Sequence, residues 1–126
     1  MNKIFKALSI FILIVIISAI GVFYYFDSNM CENTEIIRTP SPDKKLYAVL
    51  FERSCGATTG FSTQISLINS NKSIENNEVG NIYIANGYPD NYSFNWLSPY
   101  VLNIRGTKTN ALKKVSLYNS VTITYE

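Results

Sequence analysis

The chain has 126 residues, enough for one small domain, and a formal net charge of +2. Lys3 and Lys6 lie before a long apolar segment, and from Asp27 onward nine basic residues balance nine acidic ones. A neutral body lacks the excess of Lys and Arg that nucleic-acid binders need, and the pair Lys113-Lys114 is typical of an ordinary surface. The sequence has no histidine, the commonest general base and metal ligand. We therefore predict no nucleic-acid partner, no cofactor, no metal site and no catalytic residues.

The segment from Ala7 to Phe26 is uncharged and almost wholly apolar. At about 1.5 Å per residue, a helix of this length spans the roughly 30 Å hydrocarbon core of a bilayer. Tyr24 and Tyr25 lie where aromatic residues mark a membrane interface, and basic residues precede the segment whereas acidic ones follow it. The positive-inside rule then predicts a cytoplasmic N-terminus over residues 1–6 and a membrane anchor over residues 7–26. The rest of the chain would lie on the periplasmic or extracellular side of a bacterial inner membrane.

A cleaved signal peptide is the alternative interpretation of this segment. Ala19-Ile20-Gly21 fits a small-x-small cleavage site, and cleavage near Gly21 would release a secreted protein. The mature chain would then begin with an exposed aromatic run, and the apolar stretch exceeds the roughly 7–15 residues usual for a signal peptide. The sequence therefore favours an uncleaved anchor, followed by a polar stalk over residues 27–34.

Cys31 and Cys55 are the only cysteines in the chain. In an oxidising compartment an even count predicts a disulfide, and closing such a loop contributes roughly 3 kcal/mol in the chain-entropy picture. A reactive thiol at Cys55 is the second interpretation, although no histidine is present to activate it. A metal site is the third, although two widely spaced thiols without histidine do not match a zinc pattern.

Residues 35–126 are predicted to form an all-β domain, because the apolar periodicity changes to two. We expect an antiparallel sheet of about six strands, blade-like or part of a sandwich. The predicted strands are Lys45–Arg53, Phe61–Ile68, Asn81–Ala85, a strand carrying Tyr92, Phe94 and Trp96, Val101–Arg105, and Val115–Tyr125. The first is apolar on both faces, which is typical of a central strand covered on both sides. The polar stretch Asn69–Glu78 predicts a solvated loop.

Two turns and a repeat-like pattern accompany these strands. Ser41-Pro42-Asp43-Lys44 and Tyr88-Pro89-Asp90-Asn91 carry Pro and Asp at the two central positions, as type I turns favour. The segment Ser41–Ala48 resembles the strand-opening motif of TolB-type β-propeller blades, and Phe94–Leu102 resembles a second, degenerate copy. The resemblance implies a blade-like sheet, because a closed propeller needs about four blades or more.

The stretch Cys55–Gln64, which reads Cys-Gly-Ala-Thr-Thr-Gly-Phe-Ser-Thr-Gln, is the most distinctive part of the chain. It resembles a motif of small uncharacterised bacterial proteins that are membrane-anchored or secreted, in which it also follows a Ser-Pro-Asp turn and a strand ending near Glu-Arg. That resemblance implies the domain but no activity. The candidate interaction loop comprises Gly56, Thr58, Thr59, Gly60 and Ser62. It predicts either an anion cradle made of backbone N–H groups or a hairpin turn fixed by Cys55, and the turn is favoured because the stretch lacks a fixed positive charge.

An aromatic face formed by Tyr92, Phe94 and Trp96 is the second candidate interaction surface, although the same residues can instead form the core. Three function classes follow. The favoured one is a non-catalytic module that binds a protein partner at the cell envelope. The others are a small enzyme that uses Cys55 or a carboxylate pair such as Glu52 and Asp90, and a purely structural envelope protein.

Overall fold

The computed structural model describes residues 2–56 and 59–126. The chain divides into two compact units, residues 1–30 and residues 31–126. The first unit is helix α1, Asn2–Asn29, whose large apolar side chains from Ile4 to Phe26 are all exposed. Over residues 2–26 this helix is long and apolar enough to cross a bilayer, and a signal sequence has the same properties.

The second unit contains two β-sheets. Its strands are β1 (Glu32–Pro40), β2 (Leu46–Ser54), β3 (Phe61–Asn69), β4 (Tyr83–Asn86), β5 (Ser93–Ser98), β6 (Val101–Arg105), β7 (Lys113–Lys114), β8 (Leu117–Tyr118) and β9 (Val121–Tyr125). Sheet A has the order β1-β2-β3-β4-β7, and sheet B has the order β5-β6-β9-β8. The prediction of one N-terminal helix followed by an all-β domain is confirmed. Among the described residues there are nine strands where about six were expected.

The sheets differ from the prediction in two respects. Sheet B is mixed, because β6 pairs with β9 in parallel while its other pairs are antiparallel. The strand predicted over Val115–Tyr125 is divided into β8 and β9, because Asn119 and Ser120 adopt left-handed φ angles of 46° and 64° and turn the chain. Asn is one of the residues that tolerate this conformation best.

Strand β1 begins inside the segment that the sequence analysis assigned to a polar stalk. Residues 32–34 pair with β2 in register, with Glu32 opposite Ser54 and Thr34 opposite Glu52. Their side chains are polar because β1 is an edge strand, and a bulge between Glu35 and Ile37 interrupts its pairing. The period-two apolar pattern that identifies a half-buried strand is therefore missing here.

The two sheets pack against each other around an apolar core. Strand β2 lies between β1 and β3, and both of its faces are buried from Ala48 to Phe51, as the sequence predicts for a central strand. Between the sheets lie Ala48, Leu50, Ile65, Leu67, Ile82, Tyr83, Ala85, Tyr92, Leu102, Ile104, Val121 and Ile123. Val49 and Phe51 are not part of this cluster, because alternate residues of a strand point to opposite faces.

One face of sheet A points away from sheet B, and we call it the outer face. Residues 70–81, which we call the strap, cover this face. Asn33 Nδ2 donates to the carbonyl oxygens of Glu75 and Glu78 at 2.7 and 2.8 Å. Arg53 Nη1 lies 2.9 Å from the carbonyl oxygens of Asn76 and Glu78, so both side chains bind the backbone of the strap. The sequence predicted a solvated loop over Asn69–Glu78; the strap is exposed on one side and hydrogen-bonded to the sheet on the other.

The other end of the strap is tied to β3. Gly80 N–H donates to Gln64 Oε1 at 2.7 Å, and Asn81 N–H donates to Ser66 Oγ at 3.1 Å. Gln64 and Ser66 lie opposite Phe51 and Val49 in the β2–β3 register, hence on the same face. The strap therefore accounts for the complete burial of Val49 and Phe51, which no side chain of sheet B could cover.

Candidate functional site

The disulfide predicted from the cysteine count is present. Cys31 and Cys55 are joined by an S–S bond of 2.07 Å. They occupy the next position of the β1–β2 register beyond the Glu32–Ser54 pair, so the bond closes the end of this two-stranded ladder. No free cysteine occurs among the described residues. Cys55, which the second interpretation treats as a reactive thiol, is thus engaged in the disulfide. The described part of the chain also holds no group of three or more His, Cys, Asp or Glu residues that could bind a metal ion.

The candidate interaction loop connects β2 to β3. Gly56 and Gly60 have φ angles of 110° and 69°, the left-handed region that favours glycine. Thr59 donates to the Gly56 carbonyl oxygen through its N–H at 3.3 Å and its hydroxyl at 3.1 Å, which closes a tight turn. These contacts fit the hairpin-turn interpretation. Thr58, the other threonine of the candidate loop, lies outside the described residues.

Ser62, the last member of the candidate loop, lies in β3 beside Arg53, a charged residue that the sequence analysis did not include in the loop. In the register of sheet A, Ser62 is opposite Arg53 of β2 on one side and Asn86 of β4 on the other. These three side chains line a depression of about 260 Å³ on the outer face, together with Gln64, Ile84, Leu112 and residues of the loop. The sequence analysis missed Arg53 because the β2–β3 register, which brings Arg53 next to the loop, does not follow from the local sequence pattern.

Arg53 is half-buried and has no carboxylate partner among the described residues. Its Nη1 group donates to Asn33 Oδ1 at 2.9 Å as well as to the strap. Burial lowers the pKa of this guanidinium from its ordinary value, because removal from water disfavours the charged form. Arg38 of the neighbouring strand is instead paired with Glu35, at 2.7 Å, and the pKa of Arg38 is raised by that hydrogen bond.

The predicted aromatic face is packed largely inside the domain. Tyr92 is buried, and Phe94 and Trp96 are half-buried against the core. Burial, reinforced by a 3.0 Å hydrogen bond between the Tyr92 and Tyr83 hydroxyl groups, raises the pKa of Tyr92. The Trp96 indole N–H donates to the Thr39 carbonyl oxygen at 3.3 Å and so links the two sheets. These positions correspond to the core interpretation of the three aromatic residues.

The carboxylates considered for an enzyme are separated between two elements. Glu52 lies in β2, and Asp90 is exposed in the connection before β5. Neither residue lines the depression beside Arg53.

Comparison with known proteins identifies a family for the chain. A model described as a family of unknown function, DUF5412, matches residues 2–120, and the chain therefore belongs to this family. Since the match includes both α1 and most of the β domain, the two units are part of one family pattern. No curated protein and no solved structure matches the chain.

Proposed function

We propose that this chain is a single-pass protein of the bacterial inner membrane, whose β domain binds a protein partner outside the cytoplasm without catalysing a reaction. Residues 7–26 would lie in the lipid bilayer, residues 1–6 in the cytoplasm and residues 35–126 on the periplasmic or extracellular side. The observation that carries the proposal is the succession of an exposed apolar helix and a disulfide-closed sheet. Only Met30 separates α1 from Cys31.

The exposed apolar surface of α1 supports the membrane location. Large side chains point outward all round the helix, and Phe23, Tyr24 and Tyr25 are each about 70 % exposed. Water strongly disfavours such a surface, whereas lipid chains accommodate it and a helix satisfies its own backbone hydrogen bonds there. The two lysines before the apolar stretch support a cytoplasmic N-terminus, and the disulfide supports an oxidising compartment for the domain.

The assignment as a binding module rests on how the polar side chains are used. Cys55 is engaged in a disulfide, and Asn33, Arg53 and Gln64 hold the strap through hydrogen bonds to its backbone. A sheet with a partly open polar depression suits recognition of another protein, for which chemistry at the site is not needed.

Topology is the first test. Alkaline phosphatase, which is active only outside the cytoplasm, should work when fused after Glu126, and the fusion should resist carbonate extraction. Lys3→Glu/Lys6→Glu should reduce phosphatase activity because it removes the positive charge that retains the N-terminus. Lys113→Glu/Lys114→Glu, which changes the charge equally but within the domain, should not. Release of a soluble protein with an N-terminus near Val22 would identify a signal peptide and contradict the anchor.

A further inference from the structure

The depression beside the β2–β3 loop carries an unused set of hydrogen-bond donors. Arg53, Ser62 and Asn86 form a row across β2, β3 and β4, and side chains opposite each other on adjacent strands have Cβ atoms about 5 Å apart. The Nε and Nη2 groups of Arg53 have no partner among the described residues, nor does the side-chain amide of Asn86. The three donors therefore face one small volume.

The strap fixes the orientation of these donors. Gly80 N–H binds Gln64 Oε1, and Gln64 Nε2 in turn donates to Ser62 Oγ at 2.9 Å. Because the Ser62 oxygen accepts this bond, its hydroxyl hydrogen is left to donate outward. Arg53 is held at Nη1 by the strap, which leaves the other edge of its guanidinium plane for a ligand.

The charge around the depression favours an anion. Among the described residues, Arg53 is the only charged one that lines it. By contrast, a depression near Asn81 is lined by both Lys72 and Glu78, and one near Tyr100 by both Asp43 and Lys45. A planar guanidinium edge with a neighbouring hydroxyl matches the two oxygens of a carboxylate.

Two apolar residues, Phe61 and Leu112, also line this depression. The rings of Phe61 and Tyr88 stack with their centroids 4.6 Å apart, although both side chains are exposed. Leu112 is 68 % exposed and also lines the depression. Exposed aromatic groups beside an arginine are typical of the centre of a protein interface.

We propose that this depression binds the carboxylate of an acidic side chain on a partner protein, with Phe61 and Leu112 contacting an adjacent apolar group. The inference rests on the proposed function, since it names the surface by which the module recognises its partner. The partner segment would present an Asp or Glu next to an aromatic or aliphatic residue. Its carboxylate would lie between the free edge of Arg53 and the Ser62 hydroxyl.

Benzoate, which joins a carboxylate to an apolar ring, is a suitable probe for the full chain in a zwitterionic detergent. The chain has three arginines, Arg38, Arg53 and Arg105, so the Nε–Hε region of a ¹⁵N spectrum is simple. We expect benzoate to shift the Arg53 signal saturably. The Arg38 and Arg105 signals should stay unchanged, because each Nε already donates to a glutamate. Benzamide, which has the same ring and no charge, should bind at least about tenfold more weakly.

Ser62→Ala tests the site without removing a contact to the strap backbone. It should weaken benzoate binding about fivefold or more, as expected for the loss of a hydrogen bond to a charged group. Ser93→Ala removes an exposed strand serine from sheet B and should change nothing. Equal shifts with benzamide, unchanged affinity in Ser62→Ala, or tighter binding of phenyl phosphate than of benzoate would each overturn the carboxylate site. The topology test is independent of these titrations, so failure here alone would leave the anchored module in place.

Discussion

The two faces of strand β2 are buried equally and by different means. Ala48 and Leu50 point toward sheet B and contact apolar side chains, whereas Val49 and Phe51 point outward and lie under the strap. All four residues are at most 1 % exposed. The inner face is thus covered by a second sheet and the outer face by a single polar loop.

The difference shows what a polar loop needs in order to act as a cover. A sheet brings its own hydrogen-bonded backbone, whereas the strap has carbonyl and N–H groups that face the domain and need partners. Asn33, Arg53, Gln64 and Ser66 provide those partners from the outer face itself. The polar side chains of β3 that alternate with its core residues therefore hold the strap.

The largest expected effects come from truncating one residue on each face. Leu50→Ala should lower the free energy of unfolding by about 2–5 kcal/mol, and Phe51→Ala by about 3–5 kcal/mol if the strap is a close-packed cover. Chemical denaturation of the full chain in detergent, followed by the fluorescence of its single tryptophan, Trp96, measures both. A loss below about 1 kcal/mol for Phe51→Ala would mean that the strap shields this face only loosely.

Variants that lack the disulfide test whether the closed end of the β1–β2 ladder stabilises both faces of β2. Cys55→Ser should lower stability by about 2–4 kcal/mol, since the bond restricts the unfolded chain. Cys31→Ser/Cys55→Ser should cost the same within about 0.5 kcal/mol, because the second change removes no further interaction. Before reduction, native protein should resist alkylation and have a mass two hydrogens below that of the reduced chain. Full labelling of native Cys55 would contradict the bond and support the reactive-thiol interpretation.

Substitution of one glycine in the strap and one in the interaction loop compares how strongly the two segments constrain the fold. A Cβ at Gly80 would lie 2.7 Å from the Tyr83 carbonyl oxygen and 3.0 Å from Gln64 Cβ, so Gly80→Ala should cost about 1–3 kcal/mol through overpacking. At Gly60 a Cβ would meet open space, and Gly60→Ala should cost only about 1 kcal/mol for its positive φ. The same denaturation assay compares the two variants. An equal or larger loss for Gly60→Ala would show that the loop constrains the fold more than the strap does.

The sequence predicted the features that depend on local pattern. The apolar run predicted the helix, a segment apolar on both faces predicted β2, and alternation predicted β3. Ser41-Pro42-Asp43-Lys44 forms the expected turn, in which Lys44 N–H donates to the Ser41 carbonyl oxygen at 2.8 Å. Strand β1 and the strap could not be predicted this way, because most of their side chains are polar and their order comes from pairing with distant residues. Arg53 lies opposite Ser62 because of the β2–β3 register, and apolar periodicity alone does not determine that register.

The ion pair between Glu35 and Arg38 should have the smallest effect on the outer face. Arg38 also donates from Nη1 to the Lys72 carbonyl oxygen of the strap at 3.2 Å, so Glu35 helps to orient a further, weaker contact. The hydrogen bond from Arg38 lowers the pKa of the Glu35 carboxyl. Both side chains are partly exposed, and water screens their attraction, so Glu35→Gln should cost only about 0.5 kcal/mol at neutral pH.

The pH dependence of this loss follows from the direction of the pKa shift. A carboxyl whose pKa is lowered in the folded state stabilises the fold above its unfolded pKa, about 4.3 for Glu, and loses that contribution as pH falls through the lower folded value. The difference between wild type and Glu35→Gln should therefore shrink as pH falls below about 4.3 and disappear once pH is below the lowered folded value. Asp43, whose pKa is also lowered, titrates in both proteins. Glu126→Gln, which removes the exposed pair with Arg105 on sheet B, is the matched control and should leave the strap unaffected. Amide hydrogen exchange separates the two: only Glu35→Gln should speed exchange at Lys72, whose N–H donates to the Asn69 carbonyl oxygen at 3.0 Å beside the Arg38 contact. If neither variant does, Arg38 contributes nothing to holding this end of the strap.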